Sequence, residues 1–261
     1  MIDFNIHRFR NVAEWSLINS KGALIKKFFG IYFILFFFMM FFSRVSGSDG
    51  NVVPVLISVM GSIFLVVSGG AIVGNMKTKQ QRISYMMLPG SILEKFAVNY
   101  LMVTIGSILL LLIGIVAADV SQWLLNSAID RTVSNSYIID ALWHSNSNLV
   151  IKGDRMTLGE AILILYFWGH SLYMVGGALI RKHACLITTA IIFAVSTCFS
   201  IVAVWIVEKL SEYGYTVYFY DSALTNILTD LGFFVVILFN YYLSYRIMGR
   251  IQVINNKWIN L

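Results

Sequence analysis

Six long apolar runs dominate this sequence and leave few folds open to it. They cover residues 28–43, 52–74, 96–117, 158–180, 184–207 and 224–248. All but the first reach the roughly 20 residues that an α-helix needs to cross a hydrocarbon core about 30 Å thick. Ile, Leu, Val and Phe fill the runs without strict alternation, which favours helices over barrel strands. The sequence predicts an all-α, polytopic membrane helix bundle with six transmembrane helices.

The composition supports a single membrane domain over residues 1–261. Hydrophobic residues make up 58% and charged residues 12%, against roughly 45–50% and 25% in soluble domains. No polar block is long enough to be a separate soluble domain. The net charge of +6 does not indicate nucleic-acid binding, because the basic residues lie at the ends of apolar runs and do not interleave with aromatics.

The distribution of Lys and Arg predicts the orientation. With the amino terminus inside, fourteen of the nineteen basic residues share one side. They are Arg8, Arg10, Lys21, Lys26, Lys27, Lys77, Lys79, Arg82, Lys95, Arg181, Lys182, Arg246, Arg250 and Lys257. Because cytoplasmic loops carry the excess of Lys and Arg, we expect both termini in the cytoplasm.

The segment before the first run has the pattern of an amphipathic helix. Ile6, Phe9, Ala13 and Leu17 recur at helical spacing, and polar residues occupy the opposite face. We expect an interfacial helix over 4–20, lying on membrane lipid or packed on other cytoplasmic parts. A cleaved signal peptide is an alternative, because small residues such as Ser43, Ser46 and Gly47 follow the apolar run. Against it, about twenty-five polar and amphipathic residues precede the run, unlike such peptides.

A loop over residues 75–95 separates the second and third runs. Pro89 and Gly90 break the chain there, and Ser91 precedes Glu94 by three residues, the spacing of a capping box. The third spanning helix is therefore predicted to begin near Ile92. The stretch upstream, from Lys77, is basic and ends in apolar residues, which fits a short helix that exposes apolar side chains to a partner.

The loop carries a family resemblance. Residues 87–96 read Met-Leu-Pro-Gly-Ser-Ile-Leu-Glu-Lys-Phe. A basic stretch comes first, and Leu-Pro, a small residue, Ser and a helix start of the form Leu-Glu-Lys-Phe follow it. This pattern resembles the permease subunit of type-2 ABC transporters of the bacterial six-span type. The amphipathic amino-terminal helix and the six runs extend the resemblance along the chain. One departure is the position of the longest outer loop, which here follows the third run.

The resemblance implies a function and partners. It implies a permease in the bacterial inner membrane that exports an amphipathic or apolar substrate, paired with a second permease copy and driven by separate ABC ATPase subunits. The ATPase-coupling residues would be Lys77, Lys79, Arg82, Tyr85, Met86, Met87 and Leu88. ATP and Mg²⁺ would bind in the ATPase, and no cofactor is expected in this chain.

The outer loop, residues 118–157, contains apolar and aromatic residues among polar ones. We expect two short amphipathic helices here, with Trp123, Tyr137 and Trp143 at headgroup level. They would cap a substrate path or form a passive interfacial connection.

Two polar residues within the runs are candidates for a path. His170 lies in the fourth run and Asn240 in the sixth. Either would line a path or make a hydrogen bond between helices. Gly70, Gly74, Gly176 and Gly177 are small enough to allow close helix contact.

Enzyme signatures are missing from the sequence. Neither Gly-x-Ser-x-Gly nor His-Glu-x-x-His occurs, and Asn75 stands where a phosphate-binding loop beginning at Gly69 requires lysine. Cys185 and Cys198 fall in one predicted helix, too far apart to pair. The alternative to a permease is a non-transporting membrane scaffold, assembly or sensor protein. A third alternative, an intramembrane enzyme centred on His170, needs a nucleophile or metal partner that the sequence does not show.

Overall fold

The computed structural model describes residues 4–45, 52–76, 78–129, 136–139, 158–180, 182–213 and 223–251, and these form helices and turns with no β-strand. The all-helical fold class is confirmed. The main helices are α1 (Ile6–Val45), α2 (Val52–Ser68), α3 (Lys79–Met86), α4 (Ile92–Ile129), α5 (Leu158–Leu179), α6 (Ala184–Glu212) and α7 (Ala223–Gly249).

Among the described residues, five stretches of helix are long and apolar enough to cross a membrane, which is the architecture of a multi-pass membrane protein. They are Ile6–Val45, Val53–Met76, Ile92–Ile129, Ala184–Glu212 and Ile227–Gly249. Leu163–Leu179, within α5, is a shorter apolar helix.

Helix α1 is continuous where we predicted two elements. The expected interfacial helix over 4–20 and the expected span over 28–43 belong to one helix of 40 residues. The residues between them carry charges but no proline, and a single Gly22 weakens a helix by only about 1 kcal/mol. At about 1.5 Å per residue, such a helix is roughly twice as long as a hydrocarbon core is thick.

The predicted apolar stripe of α1 packs on the protein only at its edge. Val12 and Ser16 are buried and Phe9 and Ala13 are half-buried, whereas Ile6 and Leu17 are 62% and 46% exposed. The packed side is therefore rotated from the stripe, and Ile6 and Leu17 stay available to the surroundings of the protein.

Helix α4 also runs further than predicted. It continues through residues 118–129, where we expected the first short helix of the outer loop, so Trp123 lies on α4. Residues 137–139 form a helical turn apart from α4. The Ile139 amide donates to the Ser136 hydroxyl at 3.3 Å, which caps the start of this turn. The rest of the expected second helix, including Trp143, lies outside the described residues.

The second span changes its helical geometry near its end. Helix α2 stops at Ser68, and two 3₁₀ turns, Gly69–Ala71 and Gly74–Met76, complete the apolar stretch. The described residues form two compact units, one from Met1–Ser68 and Gln80–Val150 and the other from Gly69–Lys79 and Ile151–Leu261.

The first unit has its core between α1, α2 and α4. Ile31, Leu35 and Met39, four residues apart on α1, pack with Leu111 and Ala118 of α4. This packing fixes α1 along α4.

The second unit is held by close backbone contacts. A Cβ added to Gly177 of α5 would lie 2.5 Å from the Gly70 carbonyl oxygen, and one added to Gly69 would lie 2.6 Å from the His170 carbonyl oxygen. The predicted close helix contact is confirmed for Gly70, Gly176 and Gly177. It is wrong for Gly74, where an added Cβ would meet nothing within 4 Å.

Helix α6 is the least buried of the candidate spans. Its most apolar stretch has 0% of its residues buried. Cys185 and Cys198 both lie on it as free thiols, as predicted.

Candidate functional site

Helix α3 has one buried and one exposed side. The side chains of Arg82 and Tyr85 are each 2% exposed. Ile83 is 37% exposed, and Met87, directly after the helix, is 80% exposed. Because residues four apart lie on the same side of a helix, Ile83 and Met87 form one apolar surface. Lys79 is exposed as well.

Tyr85 is an anchor inside the protein and is not among the apolar side chains that α3 exposes, while its role in ATPase coupling stays a prediction. Its hydroxyl donates to the Lys95 carbonyl oxygen at 3.0 Å, and its ring centroid lies 5.9 Å from that of Trp15 on α1. Burial raises the pKa of the Tyr85 phenol well above its usual range. The phenol therefore stays neutral, and α3 is fixed to α1 and α4.

The turn after α3 is closed by hydrogen bonds. The Met87 amide donates to the Ile83 carbonyl oxygen at 3.0 Å, and the Lys95 ammonium donates to the Met86 carbonyl oxygen at 3.2 Å. Met86 and Leu88 are half-buried. Lys77 lies outside the described residues.

The start of α4 is the capping box that the sequence predicts. The helix begins at Ile92. The Ser91 hydroxyl accepts from the Glu94 amide at 3.2 Å, and the Glu94 carboxylate accepts from the Ser91 amide at 2.8 Å. Two of the amides that a helix start leaves unpaired are thus satisfied.

Glu94 also binds the start of α1, a role that sequence reasoning missed. Its Oε1 accepts from the backbone N–H of Asn5 at 2.8 Å and pairs with the Arg8 guanidinium at 3.2 Å. The Glu94 side chain is fully buried. The capping box indicated the local partner of Glu94, but no sequence pattern indicated a partner on α1. We call α3, residues 87–95 and the start of α1 the α3–α4 corner.

The electrostatics of the corner stabilise the ionised form of Glu94. The Asn5 amide is the largest cause, and the Ser91 amide, the Arg8 charge and the Ser91 hydroxyl add to it. Together they lower the pKa of the Glu94 carboxyl below its usual value, although burial acts in the opposite direction.

The cap should contribute measurably to stability. Ser91→Ala removes the acceptor of the Glu94 amide, and the loss of a serine cap costs about 1 kcal/mol. We expect a lower unfolding midpoint for the purified variant. Ser84→Ala, on the exposed side of α3, is the control and should leave the midpoint nearly unchanged. Equal effects of the two changes would contradict the role of the cap.

The lowered pKa of Glu94 predicts a pH-dependent stability. Because its folded pKa is below the unfolded value, its contribution is complete above the usual pKa of 4.5 and is lost as the pH falls further. We expect the difference in unfolding midpoint between wild type and Glu94→Gln to shrink on acidification. Glu14→Gln, at an exposed pair with Arg10, should show no such trend. A difference for Glu94→Gln that is independent of pH would contradict this.

The corner connects three helices. It joins the starts of two helices, of 40 and 38 residues, to the short helix α3, which has one exposed side. Within the described part of the chain, no group of three or more His, Cys, Asp or Glu side chains is placed to hold a metal ion.

The two candidates for a path make hydrogen bonds between α5 and α7. His170 Nδ1 lies 3.2 Å from the Tyr241 hydroxyl, and the Asn240 amide donates to the Ser171 hydroxyl at 3.1 Å. The expected hydrogen bonding between helices is confirmed. A path-lining role for His170 and Asn240 stays a prediction.

Comparison of the chain with protein-family models, with curated proteins and with solved structures finds no match in any of the three. The α3–α4 corner is therefore the feature from which a function can be inferred.

Proposed function

We propose that this chain is the permease subunit of an ATP-driven exporter of the type-2 ABC kind, and that a separate ATPase subunit docks on α3. The observation that carries the proposal is the two-sided burial of α3. Arg82 and Tyr85 hold the helix to the protein, while Ile83 and Met87 leave an apolar surface facing outward. An exposed apolar surface on a firmly held helix is typical of a docking site for another protein.

The corner offers a route for motion. A displacement of α3 by the docked ATPase would be transmitted to α4 through the hydrogen bond from Tyr85 to the Lys95 carbonyl oxygen. It would reach α1 through Glu94. Both helices continue into candidate spans. ATPase closure could then bias the spans between inward-open and outward-open arrangements.

The proposal includes six spans with both termini in the cytoplasm. The sixth span, beside the five long candidates, would be α5, which has 22 residues. The surplus of Lys and Arg at the ends of the runs supports the inside position of the corner. The exposed stripe at Ile6 and Leu17 would face lipid at the inner interface. The membrane would be a bacterial inner membrane.

The partner would have a definite chemistry. It would bind ATP and Mg²⁺ and present an apolar groove to Ile83 and Met87, with an acidic rim opposite the exposed Lys79. A second copy of the permease would complete the transport path. The substrate would be amphipathic or apolar, such as a lipid, peptide or drug-like molecule.

Co-purification from native membranes tests the proposal. We expect the tagged full-length chain, extracted in mild detergent, to bring with it a protein that has a phosphate-binding loop and hydrolyses ATP. An intact, monodisperse chain that retains no nucleotide-binding protein would contradict the proposal. A retained partner that does not bind nucleotide would instead indicate a scaffold or assembly role.

A further inference from the structure

A second polar site lies in the first unit, at the carboxyl-terminal end of α4, away from the α3–α4 corner. Asp119, Gln122 and Asn126 are spaced three and four residues apart and so share one side of the helix. Each is at most 1% exposed. We call these three residues the α4 polar cluster. A buried row of this kind is costly unless its polar atoms are satisfied.

Asp119 is partly satisfied by the segment that starts at Ser136. Its Oδ2 accepts from the Ser136 hydroxyl at 2.6 Å and from the Ile138 amide at 3.4 Å, and its Oδ1 accepts from the Tyr137 amide at 3.0 Å. Three donors from one short segment thus reach the two carboxylate oxygens. A carboxylate offers about four acceptor positions, so Oδ1 keeps room for one more contact.

The two amides are less well satisfied. Both polar atoms of the Gln122 side chain, and the Oδ1 of Asn126, have no hydrogen-bond partner among the described residues. Only the Asn126 nitrogen is engaged, donating to the Ser43 hydroxyl at 3.4 Å. Gln122 is fully buried and lies between Asp119 and Asn126 on the same side of the helix. Leaving such groups unpaired costs about 1–3 kcal/mol each.

The charge of Asp119 is also uncompensated within the described residues. No described Lys, Arg or His forms an ion pair with Asp119, and Arg44, which follows Ser43 on α1, points outward as an exposed residue. A buried carboxylate needs a compensating positive charge more than it needs another neutral partner. Its neighbours supply oxygen atoms, the ligands that hard cations prefer.

We propose that the α4 polar cluster binds a hydrated monovalent cation, Na⁺. The cation would take Asp119 Oδ1 and Gln122 Oε1 as direct ligands. Asn126 lies about 10 Å further along the helix axis than Asp119, so its Oδ1 would be reached through a water on the cation. A water on the cation would accept from the Gln122 Nε2, which satisfies the remaining donor. The single carboxylate matches one positive charge, and the site has too few carboxylates for a divalent ion of the usual kind.

Thermal unfolding of the purified full-length chain tests the site. We compare NaCl with choline chloride at equal ionic strength, because the trimethylammonium group of choline cannot coordinate carboxylate and amide oxygens as a small ion does. Sodium should raise the unfolding midpoint by a few degrees and in a saturable way, as expected of a ligand that binds only the folded state. The readout needs no partner protein, so it is independent of the proposed transport function.

Two variants make the result specific. Asp119→Asn and Gln122→Leu should each abolish the difference between the two salts. Gln122→Leu breaks no hydrogen bond to the described residues, so it should fold even if Asp119→Asn does not. Glu14→Gln, at an exposed acidic position, should keep the full sodium response.

Three outcomes would overturn the proposal. The first is a wild-type midpoint that is the same in NaCl and in choline chloride, which would mean that water alone fills the cluster. The second is a sodium response that survives Gln122→Leu. The third is stabilisation by Ca²⁺ and not by Na⁺, which would contradict the monovalent assignment.

Discussion

Gly177→Val is expected to prevent the second unit from folding. A Cβ at this position would lie 2.5, 2.7 and 2.8 Å from the backbone oxygen, carbonyl carbon and Cα of Gly70. Backbone atoms of a 3₁₀ turn cannot move aside as the end of a long side chain can. Overpacking costs about 1–3 kcal/mol and occasionally more, and the branched valine adds to the clash of the first carbon. We expect aggregation or loss of the monodisperse peak in detergent.

Gly232 provides the matched control. It lies in α7, and a Cβ added there meets nothing within 4 Å. Gly232→Ala should leave the elution profile and unfolding midpoint unchanged or slightly improved, while Gly177→Ala should already lower the midpoint. If Gly177→Val is as well behaved as Gly232→Ala, the close backbone contact does not hold the second unit together.

The paired change Ile83→Asp and Met87→Asp is expected to abolish binding of the ATPase subunit. Both residues are exposed, so two carboxylates there cost the folded chain little. In the complex with the ATPase, the two carboxylates would be buried without positively charged partners. Interface anchors are each worth about 2 kcal/mol or more, which corresponds to a loss of affinity of roughly 30-fold or greater. The measurement is the amount of ATPase that co-purifies with the tagged chain.

The conservative pair Ile83→Leu and Met87→Leu is the control for charge. It keeps the apolar surface and should retain the ATPase. Tyr85 is left unchanged in both pairs because its ring and hydroxyl hold α3 in place. Undiminished co-purification with the charged pair, in a chain that still inserts and stays monodisperse, would contradict docking at Ile83 and Met87.

The features that the sequence predicted correctly depend on short stretches of chain. The capping box needs only Ser91 and Glu94, three residues apart, and the structure forms both of its hydrogen bonds. The all-helical fold follows from the length and composition of the apolar runs. The glycines at 70 and 177 were candidates because a missing side chain is a property of the residue itself.

The features that the sequence did not predict depend on contacts between distant residues. Tyr85 lies in a basic stretch that ends in apolar residues, which is typical of an exposed docking helix. Only its contact with Trp15 on α1 shows that it is buried. The bond between Glu94 and Asn5 joins residues that are 89 positions apart. No local pattern carries this information.

The continuity of α1 and α4 was missed for another reason. Hydropathy changes near residue 27 and again near residue 118, and we placed element boundaries at those changes. Helix formation depends on backbone propensity and hydrogen bonding, which continue across both positions. The apolar run therefore indicates which part of a helix suits lipid, and it does not mark where the helix begins or ends.

Photo-crosslinking from Met87 tests the docking of an ATPase on α3 most directly. A photoreactive amino acid at position 87, in the full-length chain in its native membrane, should give an adduct with a protein that contains a phosphate-binding loop. The same amino acid at Phe199, an exposed residue of the candidate span α6, should give adducts with no nucleotide-binding protein. Adducts from position 87 with lipid alone, or with no nucleotide-binding protein, would contradict the proposed function.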